Sequence, residues 1–270
     1  MTKITPLLMR RNKTLPLGVF FFSSLLAIGF SSISQFVQAG EPQNAPTTLT
    51  KLLTEIDNAA NQGSVKGVME FYSPKFTHGD GLNRKVMEEA LTGLWKRYPK
   101  LRYTTRLESW QSQGNTIIAE TVTSIEGLAA PNNNNLTLQS TIKSRQRITG
   151  SKIVHQDILS ERTQLTSGSK PPQVEIKLPQ QVKVGEKYSF DAIVQEPLGE
   201  DFLLGVAMEE PVQVNKLINP TTADLEFLNA GGLFKEGRAP LNPGTRWISA
   251  VIRRGEDMTI ITQRLQVVKK

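Results

Sequence analysis

Apolar positions along the chain change their period once, and that change divides it. From Thr47 onward Leu49, Leu52, Leu53, Ile56 and Ala60 recur at helical spacing until Gly63, which predicts a helix with one buried stripe. Ser64 stands where it can cap a short second helix with Val65, Val68, Met69 and Tyr72 on one face, stopped by Pro74. Phe76 to Gly81 reads as extended chain followed by a turn. Asn83 then caps a third helix whose stripe is Met87, Leu91, Leu94, Trp95 and Tyr98, closed by Pro99. After Pro99 the period becomes two. Leu101, Tyr103, Thr105 and Leu107 alternate with Arg102, Thr104, Arg106 and Glu108. A turn at Gln113-Gly114-Asn115 leads into a strand over 116–125, and the asparagine-rich loop at 131–135 must be solvated. A long strand follows with Leu138, Ser140, Ile142, Ser144 and Ile148 on one side. Gly150-Ser151 turns it into a last strand over 152–163.

A flexible and then stiff segment, residues 168–172, reads as a linker. Beyond it only the period of two persists. Val174, Ile176 and Leu178 alternate with Glu175 and Lys177, Val184 to Lys187 turns, and Tyr188, Phe190, Ala192 and Val194 alternate again. Residues 202–208 are mostly apolar, Gly231-Gly232 breaks the chain, and Arg254 to Asp257 joins two final strands. Trp247 sits in mid-strand among apolar neighbours, which favours a core residue over an exposed sugar-stacking platform.

Ahead of the first helix lies a different pattern. Lys3, Arg10, Arg11 and Lys13 precede an apolar run from Leu15 to Phe30, and Val37-Gln38-Ala39 offers small residues where a signal peptidase reads. Residues 1–39 are therefore expected to be a cleavable export signal, with 40–47 as a polar tether. Pro16 and Gly18 interrupt the run, which argues against a permanent anchor helix, and no transmembrane segment is expected after cleavage. The expected destination is the periplasm, the thylakoid lumen of a photosynthetic bacterium, or the medium.

Composition narrows the chemistry. Apolar residues make up 38% and charged residues 21%, enough for packed cores. There is no cysteine, so disulfides, thiolate metal sites and cysteine nucleophiles are excluded, and two histidines cannot form a three-histidine zinc site. The net charge of +7 includes the four basic residues of the signal, and without them +3 remains, too little to argue for nucleic acid. Neither a metal nor a cofactor is expected.

Helices followed by antiparallel strands indicate an α+β domain. Phe71-Tyr72-Ser73-Pro74-Lys75-Phe76-Thr77-His78-Gly79-Asp80, then a helix, then Trp95-Lys96-Arg97-Tyr98-Pro99, in this element order, resembles the nuclear transport factor two-like superfamily. That superfamily includes ketosteroid isomerases, polyketide cyclases and pocket proteins without known activity. The resemblance covers 48–167 and implies a cone of three helices on a curved sheet. The strands of 173–270 resemble an immunoglobulin-like β-sandwich, which no disulfide can brace.

Enzymes of that superfamily commonly place a carboxylate or histidine base in the cone, with a tyrosine or acid donor opposite. His155 and Asp157, two apart on the last strand of the cone, point the same way and fit such a pair, as do His78 and Asp80. Tyr72 and Tyr103 fit the donor. Each has a plainer reading: an outer sheet face for His155 and Asp157, turn chemistry for His78 and Asp80, core packing for the tyrosines. Arg102, Arg106, Lys143, Arg145 and Arg147 alternate on two strands and would form a basic patch if those strands were neighbours. That patch is a solvated face, a specific site for an anion, or a place for a second copy or an envelope protein. The reading favoured is an exported, non-catalytic protein that binds a small apolar or amphipathic ligand, or a partner, in the cone and docks through the sandwich. The alternatives are an isomerase, cyclase or dehydratase using an acid–base pair in the cone, and an envelope or lumen assembly factor.

Overall fold

The computed structural model describes residues 40–128, 136–197, 201–213, 224–228 and 230–269. The expected signal over 1–39 and the loop at 131–135 lie outside them. After a 3-10 turn at Pro42–Asn44 come α1 (Thr47–Asn61), α2 (Val65–Met69), β1 (Tyr72–His78) and α3 (Arg84–Arg97). Ser64 Oγ accepts from the Gly67 amide and Asn83 Oδ1 from the Val86 amide, so both helix starts are capped by the residues whose side chains suit that task.

Four long strands follow: β2 (Lys100–Gln113), β3 (Thr116–Leu128), β4 (Thr137–Thr149) and β5 (Lys152–Ser167). They pair in sequence as an antiparallel meander. The outer edge of β2 is covered by α1. Asn61 donates to the Tyr103 carbonyl at 3.0 Å and accepts from the Tyr103 amide at 2.6 Å, as a strand partner would. Asp57 accepts from the amide and the hydroxyl of Thr105 at 2.6 and 2.7 Å. The backbone groups of an edge strand are thereby satisfied by a helix.

The remaining strands are β6 (Val174–Lys177), β7 (Gln181–Lys183), β8 (Lys187–Val194), β9 (Leu203–Pro211), β10 (Glu226–Phe227), β11 (Gly232–Arg238), β12 (Gly244–Arg254) and β13 (Asp257–Val268). The order β11-β8-β6 makes a small sheet. It packs on β9, β12 and β13 through Phe190, Ala192, Leu203, Ile248, Ile252 and Leu265.

The expected fold class, a three-helix α+β cone followed by a separate immunoglobulin-like sandwich, is corrected here. The described residues are mostly β, 58% strand against 18% helix, with large antiparallel sheets. Ten strands, from both halves of the chain, share one sheet along the path β10-β9-β12-β13-β5-β4-β3-β2, with β1 added to β5 and β7 to β13. The physical cause is β5. It runs to Ser167, four residues past the sequence expectation of 163, and its free edge at Arg162–Ser167 pairs with Met258–Gln263 of β13. An unpaired edge is a template for the next strand, and here the chain supplies that strand itself. One register row, Tyr103, Ile125, Ser140, Thr163, Thr262, Ser249 and Met208, crosses seven strands. The segment at 168–172 is also fastened: the Lys170 amide donates to Asp257, Arg254 to the Lys170 carbonyl, and Thr259 to the Pro172 carbonyl.

Candidate functional site

Between α3 and the sheet lies a cavity of about 430 Å³. Leu82 and, from α3, Met87, Leu91 and Leu94 form one wall; Ile125, Leu138, Ile142 and Ile158 form the sheet side. Tyr103 also faces it. Its hydroxyl accepts from Trp95 Nε1 at 3.0 Å, and burial pushes its pKa up to about 12. Such a lining, apolar with a few placed polar groups, is what small-molecule sites have.

One cluster of polar groups makes one end of the cavity, around Arg264 of β13. Its guanidinium meets Asp80 in a two-pronged pair, Nη1 to Oδ1 and Nη2 to Oδ2, both at 2.9 Å. It also donates to Glu161 Oε2 from Nε at 3.2 Å and Nη2 at 3.0 Å. Trp247 Nε1 gives the same oxygen a third bond at 3.1 Å. The Arg264 side chain is only 3% exposed. Burial works against its charge, but the bonds and charges of Asp80 and Glu161 outweigh that and raise its pKa. His78 Nδ1 accepts from the Asp80 amide at 3.1 Å, so the imidazole carries its proton on Nε2. Burial lowers the His78 pKa; Asp80 opposes this and Arg264 assists it. Ser140 and Thr163, hydrogen-bonded to each other at 2.7 Å, also line the cavity.

Of the residues singled out in the sequence, His78, Asp80 and Tyr103 thus meet at this cavity. Tyr72 is half-buried elsewhere: its hydroxyl donates to Gln156, which donates to Ser144, and desolvation raises its pKa to about 12. His155 and Asp157 lie on the opposite face of the sheet, in register with Arg147 and Arg145. There His155 bonds Thr77 at 2.7 Å and Asp157 at 3.0 Å. The reason is two β-bulges in β5. Ile148 and Arg147 of β4 oppose Ile153 and His155, skipping Val154; Ser144 and Lys143 oppose Ile158 and Ser160, skipping Leu159. Each extra residue flips the alternation. The inward positions are therefore Ile153, then Gln156 and Ile158, then Glu161 and Thr163.

The basic residues do share the outer face, but β3 separates the two strands that carry them. Its Glu120 pairs with Arg145 at 2.7 Å and Lys143 at 3.4 Å, and the Arg145 hydrogen bonds hold the Glu120 carboxyl below its ordinary range. Arg106 pairs with Glu108 at 2.7 Å, while Arg102 and Arg147 are exposed.

Sequence reasoning missed Arg264 and the role of Glu161. A signal existed for the first: a lone arginine in a strand otherwise carrying Ile260, Ile261, Leu265 and Val267. Buried charges of that kind need partners. Among the described residues no cluster of His, Asp or Glu is arranged to hold a metal, and no helix is long and apolar enough to cross a membrane.

Residues 169–268 match a family described as a domain of unknown function, DUF8623. No nuclear transport factor two-like or immunoglobulin-like family is identified. No curated protein matches the chain. Matching solved structures include Bdellovibrio bacteriovorus Bd1075, at 16% identity and TM-score 0.30, with 41% of this chain covering 39% of that one. They also include the IdmH 96–104 loop truncation variant, at 13% identity and TM-score 0.31, with 40% of this chain covering 89% of that one. Neither likeness reaches the level from which a shared fold follows.

Proposed function

We propose that this is an exported, non-catalytic binding protein whose cavity takes a small amphipathic molecule. The observation that carries the reading is the cavity itself: about 430 Å³, with a largely apolar lining and a polar cluster around Arg264. The export part rests on the pattern of residues 1–39 alone. The polar groups argue for holding rather than turnover. Both oxygens of Asp80 are occupied by Arg264. A reaction has one observation in its favour, the His78 Nε2, which has no acceptor among the described residues. For a docking partner, the support is an aromatic pair, Phe202 and Phe227, 77% and 72% exposed.

The test is saturable binding of a neutral apolar fluorophore, N-phenylnaphthylamine. One site per chain is expected in the unmodified protein. The site is expected to vanish in Ala90→Trp, which fills the cavity from α3. An absence of saturable binding, or equal binding by a folded Ala90→Trp, rules the reading out.

A further inference from the structure

The charged groups around Arg264, at the polar end of the cavity, do not balance. His78, Asp80, Glu89, Arg97, Glu161 and Arg264 are the titratable lining groups besides the tyrosines. Glu89 of α3 pairs with Lys85 at 3.9 Å. At the polar end two carboxylates face one guanidinium, and His78 is neutral through its amide-bound Nδ1. One negative charge is left over.

Its place is also legible. All three donors to Glu161, two from Arg264 and one from Trp247, fall on Oε2. Oε1 has no donor among the described residues, although Glu161 is only 18% exposed on its side chain and lines the cavity. An accessible carboxylate oxygen without a protein donor can take one from a ligand, and a donor carrying positive charge serves best where solvent is scarce.

We infer that the ligand is a cationic amphiphile, its protonated amine seated at Glu161 Oε1 and its apolar part lying along Leu91, Leu94 and Ile142. The inference rests on the reading of the cavity as a ligand site, and it deepens that reading by naming the class. An anionic head, such as a fatty acid carboxylate, is disfavoured by the same surplus charge. A neutral hydroxyl can use the His78 Nε2 proton and so stands between the two.

The experiment is displacement of N-phenylnaphthylamine from the full chain at pH 7.5 by n-decylamine, n-decanol and n-decanoate, which share one tail and differ in head charge. Decylamine is expected to displace at least tenfold below decanol, and decanol below decanoate. Glu161→Gln is expected to shrink the amine's advantage at least threefold. Asp80→Asn, which removes the same charge from the other side of Arg264, is expected to act alike and covers the case in which Glu161→Gln does not fold. Decanol or decanoate equal to or ahead of decylamine, or an amine advantage untouched in both variants, overturns the charge inference and leaves the cavity reading standing. Failure of the fluorophore itself to find a site removes both.

Discussion

Replacing Arg264 by methionine tests whether the polar end is a buried network. The substitution keeps much of the stem and removes the guanidinium, leaving Asp80 and Glu161 facing one another. The side chains of Arg264, Asp80 and Glu161 are 3%, 11% and 18% exposed, so solvent does little to screen what remains. Removing one partner of a buried pair costs about 3–5 kcal/mol, because the other charge stays behind unpaired. For a chain of this size about 1 kcal/mol moves the melting temperature by about 2–4 °C, so a fall of about 10 °C is expected. Urea denaturation followed by circular dichroism gives the free energy, and scanning calorimetry gives the transition temperature. Adding Asp80→Asn and Glu161→Gln to Arg264→Met removes the stranded charges and is expected to restore at least half of the loss. Arg145→Ala serves as the contrast. Its side chain is 47% exposed and paired with Glu120 on the outer face, so it is expected to cost about 0–1 kcal/mol. A loss at Arg264 no larger than that at Arg145 refutes the reasoning and means that the cluster is solvated.

His78 makes stability depend on pH in a defined direction. Its folded pKa is lowered, so the unfolded chain binds the extra proton first, and stability is expected to fall as pH drops below about 6.5. His78→Asn, whose Oδ1 can still accept from the Asp80 amide, is expected to flatten the slope between pH 7 and 5.5 in denaturation curves. Asn61→Ala leaves the Tyr103 amide and carbonyl without their partner and is expected to cost about 1 kcal/mol, with faster hydrogen exchange at the Tyr103 amide.

The local elements were legible because their causes are local. Ser64 and Asn83 announce helix starts by their own side chains, and the alternation from Leu101 announces strands. The cavity wall was partly legible for the same reason. His78 and Asp80 stand two apart at the end of β1 and just beyond it, and Thr77 between His78 and Phe76 turns outward. What failed was the placement of His155 and Asp157. Strict alternation puts them with Glu161, and the bulges at Val154 and Leu159 break that alternation without any glycine or proline to mark them. The fold class failed at longer range. Nothing in residues 162–167 or 258–263 taken alone says that they pair, since any unprotected edge can accept any strand of suitable length. Arg264 became part of the site only through that pairing.

The double membership of β5 bears on how the polypeptide tolerates being shortened. A fragment stopping at Ser167 would keep the meander but present Arg162–Ser167 with open amides and carbonyls, and it would lack the arginine that quiets Asp80 and Glu161. The complementary fragment, which spans the stretch matched by DUF8623, would carry that arginine with nothing to neutralise it and a bare flank along Met258–Gln263. Each piece would be sticky where the other is missing, and mixing the two should regenerate the parent more readily than either folds alone.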